Sequence, residues 1–326
     1  MTRDMLAAVI YEAGGPEVLK LEHRPVPEPA SGEVLIRVRA FGLNRSELFT
    51  RQGLSPNVAF PRILGIEAVG EVAAAPGGEF STGDIVATAM GGMGRQFDGG
   101  YAEFTLVPAH NIQNIDTTLD WQVLGAIPEM LQTAWGALFK SLRLEQGDTL
   151  LIRGGTTSVG LAAAAIAKRH GATVAATTRK LESETLLREN GADYVFIDDG
   201  DIADDVRTIF PCGVNKVLEL VGTTTLKDSL KATRTGGVVS MPGMVGNAWS
   251  FDEFSPMSAI PTAVNLTTYS GGVEDFMRTP LQELVREIEL GALKPRIGKV
   301  FHLSEIVEAH LTMENNSAGG KIVVLT

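Results

Sequence analysis

Between residues 149 and 241, short β-branched runs alternate with helical stretches, and this alternation limits the possible folds more than any other feature of the chain. Residues 149–153, 173–177, 194–197, 216–221 and 237–241 read as strands. Residues 158–170, 181–190 and 202–210, and a stretch ending near Arg234, read as the helices between them. Strands and helices in strict rotation, joined by short connections, require a parallel, doubly wound sheet. The flanks have a different texture. Residues 33–39 alternate apolar and charged side chains, as a half-buried strand does, and 68–72 and 84–87 are short strands between glycine turns. Residues 124–142 have helical spacing. Helices are expected at 281–290 and at 304–313, the latter capped by Ser304, and a last strand at 321–325. The glycine-rich stretch 91–100 is expected to be a mobile loop, because glycine leaves many backbone states open.

With 326 residues, the chain is long enough for two domains with separate cores. A formal net charge of −11 disfavours nucleic acid and anionic lipid as partners. No apolar run approaches the roughly 20 residues that span a bilayer, and the N-terminal stretch reads as a first strand rather than a signal peptide. The single cysteine, Cys212, excludes an internal disulfide and a cysteine-rich metal site, and fits a reducing, cytoplasmic setting.

The first strand of the rotation ends in Arg153-Gly154-Gly155-Thr156-Thr157-Ser158-Val159-Gly160, and a small-residue helix follows. Glycines at such a turn let backbone N–H groups approach a pyrophosphate at the helix N-terminus. The strict G-x-G-x-x-G pattern is absent, and the hydroxyls of Thr156, Thr157 and Ser158 are candidate phosphate ligands in its place. The alternative is a plain strand-to-helix turn. The next strand ends Thr177-Thr178-Arg179-Lys180, without the acid that binds a ribose 2′-OH in NAD-binding folds. A hydroxyl followed by two cations suits a 2′-phosphate, with Arg179 bidentate and Lys180 a point charge. The cofactor expected is therefore NADPH, against the alternative of a solvated basic pair.

Taken together, the motifs resemble the medium-chain dehydrogenase/reductase superfamily, in its zinc-free quinone oxidoreductase (zeta-crystallin-like) branch. The stretch from Gly42 to Gly53 is similar to that branch's G-x-N-x-x-D-x-x-x-R-x-G. Leu64-Gly65-Ile66-Glu67-Ala68-Val69-Gly70, Gly99-Gly100-Tyr101-Ala102-Glu103-Phe104, Ala126-Ile127-Pro128, Thr133-Ala134, Val221-Gly222, the Gly243 turn and Gly320-Lys321-Ile322-Val323 follow at family spacing. The resemblance implies a GroES-like, mostly β catalytic domain from residues 1–125 and 263–326, with a Rossmann domain at 126–262 and the active site in the cleft between them. It also implies a homodimer. Zinc relatives carry cysteine where this chain has Asn44 and histidine where it has Ile66; the five histidines are scattered, so no metal is expected.

By the same resemblance, Asn44 is the donor to the acceptor oxygen, although an Asn also serves turns. Thr133, Val221, Gly222 and Gly243 lie along the cofactor. Tyr269 is either a second group in the cleft or a core aromatic. Glu47 and Arg51 are expected to pair behind the pocket. The chain departs from the pattern at Phe49, Glu47 and Thr157, and at Asp198, where a tyrosine often helps hold the 2′-phosphate. The activity implied is hydride transfer from NADPH to a small-molecule quinone or α,β-unsaturated carbonyl. A non-catalytic NADPH-binding protein and an enoyl reductase acting on a carrier-bound chain are the alternatives.

Overall fold

Strand Glu33–Gly42 buries Val34, Ile36 and Val38 and leaves Arg37 exposed, so one face joins a core. It is the centre of the first of two units in the computed structural model, which describes residues 3–326. That unit contains the chain up to Gln132 together with Gly271–Leu290 and Pro295–Thr326. Its larger sheet has seven strands, in the order Ile297–His302, Lys321–Leu325, Glu33–Gly42, Glu67–Ala74, Ile85–Ala89 and Gln113–Asn114, with Phe104–Pro108 also paired to Glu33–Gly42. Only the first pair is parallel. A smaller sheet places Asp4–Ile10 between Lys20–Pro25 and Arg62–Ile63. Phe41, stacked on Tyr101, lies at the heart of the core.

Gly94, Gly99 and Gly100 of the 91–100 loop lie in close backbone packing. A Cβ on Gly94 would stand 2.7 Å from the Gly65 carbonyl oxygen, and one on Gly99 2.2 Å from the same atom. Gly99 N–H donates to Ile63 O at 2.8 Å and Gly100 N–H to Gly65 O at 3.1 Å. Asp98 accepts from Ile63 N and Arg62, and Arg95 donates to the Ser46 hydroxyl. A backbone laid this close to another has room for no side chain.

The second unit contains Thr133–Ser270 and Gly291–Lys294. Its six strands run parallel in the order Tyr194–Ile197, Thr173–Thr178, Thr149–Arg153, Val214–Glu219, Thr233–Ser240 and Asn265–Thr267. The doubly wound sheet read from the alternation is present, so the fold is the expected α/β pairing of a β-rich GroES-like domain with a Rossmann domain. The edge strand Asn265–Thr267 adds to it. With only three residues, two of them exposed, that strand has no periodicity to reveal it.

Two local expectations change. Residues 124–142 are not one helix: Trp121–Leu124 stops, Pro128 opens Pro128–Gly136, and a π turn covers Ala137–Ser141. Proline has no N–H to donate and so starts a helix rather than continuing one. Ser304 is no cap; it lies inside the 3-10 turn Leu303–Glu305, where Glu305 accepts the His302 N–H at 2.8 Å. No helix among the described residues is long and apolar enough to cross a membrane.

Candidate functional site

In the second unit, strand Thr149–Arg153 turns at Gly154, whose φ of +83° suits glycine, into helix Ser158–Arg169. Gly160 lets the helix lie against the turn, since a Cβ there would stand 2.6 Å from Gly154 O and 2.9 Å from Gly155 O. Thr157 is the N-cap. Its hydroxyl accepts Gly160 N–H at 3.0 Å and donates to Gly154 O at 2.9 Å, so it is engaged locally rather than offered to a phosphate. The N–H groups of Thr156, Ser158 and Val159 have no protein acceptor among the described residues. Unpaired donors at the positive end of a helix dipole, beside a turn cleared of Cβ atoms, fit a pyrophosphate.

Thr178 ends the neighbouring strand. Its hydroxyl closes a local turn with Lys180, accepting the N–H at 3.1 Å and donating to the carbonyl at 3.2 Å. Arg179 and Lys180 are exposed, and no side-chain ion pair holds either among the described residues. Asp198 does not stand open beside them. Arg153, fully buried, binds both its oxygens, Nε at 2.9 Å and Nη2 at 2.8 Å. Burial alone would raise this carboxyl, but the Arg153 hydrogen bonds and charge hold it below the ordinary carboxylate range.

Val221 and Gly222 are set by Glu219, which sequence reasoning missed. Glu219 Oε1 accepts their N–H groups at 2.7 and 3.0 Å, and Oε2 accepts the Ser229 hydroxyl at 2.5 Å. Gly243 lies flat on the Leu220 backbone, 2.5 Å from its carbonyl oxygen for a would-be Cβ. Tyr269 is buried, 7% exposed, with its ring against Gly136; a Cβ on Gly136 would meet the phenolic oxygen at 2.0 Å. Gly136 ends the helix that carries the half-buried Thr133.

In the first unit, Asn44 is the N-cap of helix Arg45–Arg51, and Glu47 accepts its backbone N–H at 3.1 Å. The amide sits in a cluster of charges. Asn44 Nδ2 donates to Glu67 Oε1 at 2.8 Å and more distantly to Glu47 Oε1 at 3.4 Å, while Lys321 Nζ donates to Asn44 Oδ1 at 2.5 Å. Lys321 also donates to Glu67 at 3.0 Å and stands 3.9 Å from Glu129, whose N–H caps Glu67 Oε2 at 2.8 Å. Burial opposes the Lys321 charge, yet Glu67 and Glu129 outweigh it and raise the ammonium's pKa. Glu47, also buried, is pushed up to about 7, first by burial and then by the Glu67 charge, against the hydrogen bond from Ile66 N–H at 3.1 Å. Among the described residues, no group of three His, Cys, Asp or Glu is placed to hold a metal ion.

Glu47 and Arg51 do not pair, contrary to the sequence expectation. They lie four apart on the helix, but Arg51 turns to Glu314 and the Gly14 carbonyl, and Glu47 turns back to cap its own helix. Lys321, Glu67 and Arg153 were also missed as site residues. The available signal was a charge inside an otherwise apolar strand, as in Lys321-Ile322-Val323-Val324.

Comparison with known proteins finds relatives along nearly the whole chain. An alcohol dehydrogenase GroES-like domain family matches residues 30–117, and a zinc-binding dehydrogenase family matches 190–324. The quinone oxidoreductase of Homo sapiens is 32% identical, with 98% of each chain covered. The acryloyl-coenzyme A reductase of Metallosphaera sedula is 26% identical, covering 92% of this chain and 94% of its own. The mycobacterial protein Rv1454c complexed with NADPH superposes with a TM-score of 0.86 at 29% identity, covering 99% of this chain and 100% of its own.

Proposed function

Because the chain belongs to the medium-chain dehydrogenase/reductase superfamily, in its quinone oxidoreductase branch, we propose that it is an NADPH-dependent reductase of quinones or α,β-unsaturated carbonyls that works without zinc. The choice of NADPH rests on the end of strand Thr173–Thr178, where Arg179 and Lys180 stand exposed in place of an acid. The second unit, corresponding to the expected domain at 126–262, is the cofactor domain. The N–H groups of Thr156, Ser158 and Val159 receive pyrophosphate oxygens, Arg179 and Lys180 receive the 2′-phosphate, and Thr133, Val221, Gly222 and Gly243 line the remaining length. The bound nicotinamide supplies the hydride.

Asn44 holds the acceptor oxygen through its second amide hydrogen, the one facing Glu47 at only 3.4 Å, while Lys321 fixes the amide's orientation. Tyr269 is the other residue we assign a part in the reaction, its ring seated by Gly136 of the same unit. We assign delivery of the proton to water. The names of the human and Metallosphaera relatives support an electron-poor conjugated acceptor, where charge passes onto oxygen as hydride arrives. A homodimer in the cytoplasm completes the proposal. The exposed edge strand Asn265–Thr267 and the single exposed Cys212 are compatible with it.

The test is loss of NADPH absorbance by metal-free protein, with NADH as control, against a small quinone and a conjugated enone. Turnover of either with NADPH preferred is expected. Binding of NADPH without turnover of either would replace this proposal with the non-catalytic alternative.

A further inference from the structure

Asp198 follows strand Tyr194–Ile197, and its N–H donates to Thr178 O at 2.8 Å. A carboxylate-bearing residue therefore stands directly beside the Thr178-Arg179-Lys180 strand end. A free carboxylate at such a place repels a 2′-phosphate. This one is not free. Arg153 grips both oxygens from two strands away, and Gly200 N–H adds a third bond at 3.0 Å. The remaining guanidinium nitrogen, Nη1, binds Asp228 Oδ2 at 2.5 Å, and Asp228 is itself held by Ile202 and Ala203 N–H groups. Arg153 is fully buried, and the Asp198 side chain is 7% exposed. Glu182 and Asp199, also nearby in sequence, are exposed and hence hydrated and screened.

We infer that Arg153 is a specificity-determining residue for the phosphorylated cofactor: by holding both oxygens of Asp198 it withdraws that carboxylate from the strand end that binds the 2′-phosphate. The inference rests on the proposal of NADPH for this site. Arg153 acts through Asp198, as a positioning residue, and depends on the planar fork of a guanidinium; a lysine ammonium reaches one oxygen at a time.

The experiment is titration of NADPH and of NADH, followed by nicotinamide fluorescence, into the full-length wild type, Arg153→Lys, Arg153→Met, Asp198→Asn and Arg153→Met/Asp198→Asn. Arg153→Met is expected to weaken NADPH about tenfold while leaving NADH within about twofold, as one uncompensated charge near a dianion requires. Arg153→Lys, which keeps the charge and tests the point if Arg153→Met fails to fold, should weaken NADPH about threefold relative to NADH. Asp198→Asn should not lower the ratio of the two affinities, and the double variant should restore the ratio lost in Arg153→Met. An unchanged ratio in Arg153→Lys and Arg153→Met, or a fall in Asp198→Asn, would overturn the inference while leaving the cofactor proposal standing. A wild type that binds NADH as tightly as NADPH would overturn the cofactor proposal, and the inference with it.

Discussion

Lys321 donates to the side-chain oxygen of Asn44 at 2.5 Å, so a buried ammonium from one strand fixes the side-chain amide of the N-cap residue of a helix on another part of the same unit. Lys321→Met removes the cation and leaves Glu67, itself fully buried, without its partner. A loss of about 3–5 kcal/mol of unfolding free energy is expected, measured by urea denaturation. Lys321→Met/Glu67→Gln should recover much of it, since the fully buried position 67 no longer carries a charge. Full stability in the single variant would show that the cluster contributes nothing.

Glu47 changes stability with pH. Its folded pKa is raised from 4.5 to about 7, so the folded state holds a proton that the unfolded state has released across that window. The contribution is fully present below 4.5 and is lost as pH rises through about 7. Its full size is on the order of 3 kcal/mol. Glu47→Gln should flatten the fall in urea midpoint over this range. It should also lower stability overall, because a Gln turns an NH₂ toward one of the N–H groups that the carboxylate now accepts.

His310 behaves oppositely. It is buried, its Nε2 faces the Tyr101 hydroxyl at 3.1 Å, and its Nδ1 has no partner among the described residues. Burial, with help from the Arg51 charge, lowers its pKa from 6.5 to about 3. The neutral ring therefore contributes stability above 6.5 that is lost as pH falls through about 3, on the order of 5 kcal/mol at the extreme. His310→Phe should remove this acid limb and cost about 1–3 kcal/mol at neutral pH by stranding the Tyr101 hydroxyl. An unchanged acid limb in His310→Phe would assign the acid sensitivity to other groups.

Gly160→Ala places a methyl 2.6 Å from Gly154 O, which is backbone and has no rotamer to escape into. The glycine turn must move away from the helix. About 2 kcal/mol of stability should be lost, and NADPH affinity should fall about tenfold or more because the donors at the helix start are no longer aligned. Isothermal titration of NADPH checks this; unaltered affinity would detach the turn from cofactor binding.

The parallel sheet is legible in the sequence because its inner strands are covered on both faces, which leaves short apolar runs such as Leu150-Leu151-Ile152 between helical stretches. Gly154, Gly155 and Gly160 are legible for a related reason, since a turn cleared of Cβ atoms has few alternatives. The charges are harder to read. Glu67, Lys321 and Arg153 lie in strands where periodicity gives them no meaning until a partner is known, and Lys321 finds Glu67 across 254 positions. The loop 91–100 is hard to read for a different reason. Glycine signals either freedom or crowding, and only the nearness of Gly65 separates the two. Thr157 and Thr178 carry hydroxyls that phosphate could use, but local caps and turns occupy them first.

The 277 positions between Asn44 and Lys321 also set an order of events during synthesis. A ribosome releases Glu47 and Glu67 early and delivers the ammonium that balances them only after the whole parallel sheet has emerged. Until then these carboxylates must stay hydrated or take up protons, and the strands bearing them cannot close over a finished core. The earlier-made unit is thus completed last, after the parallel sheet encoded between its segments.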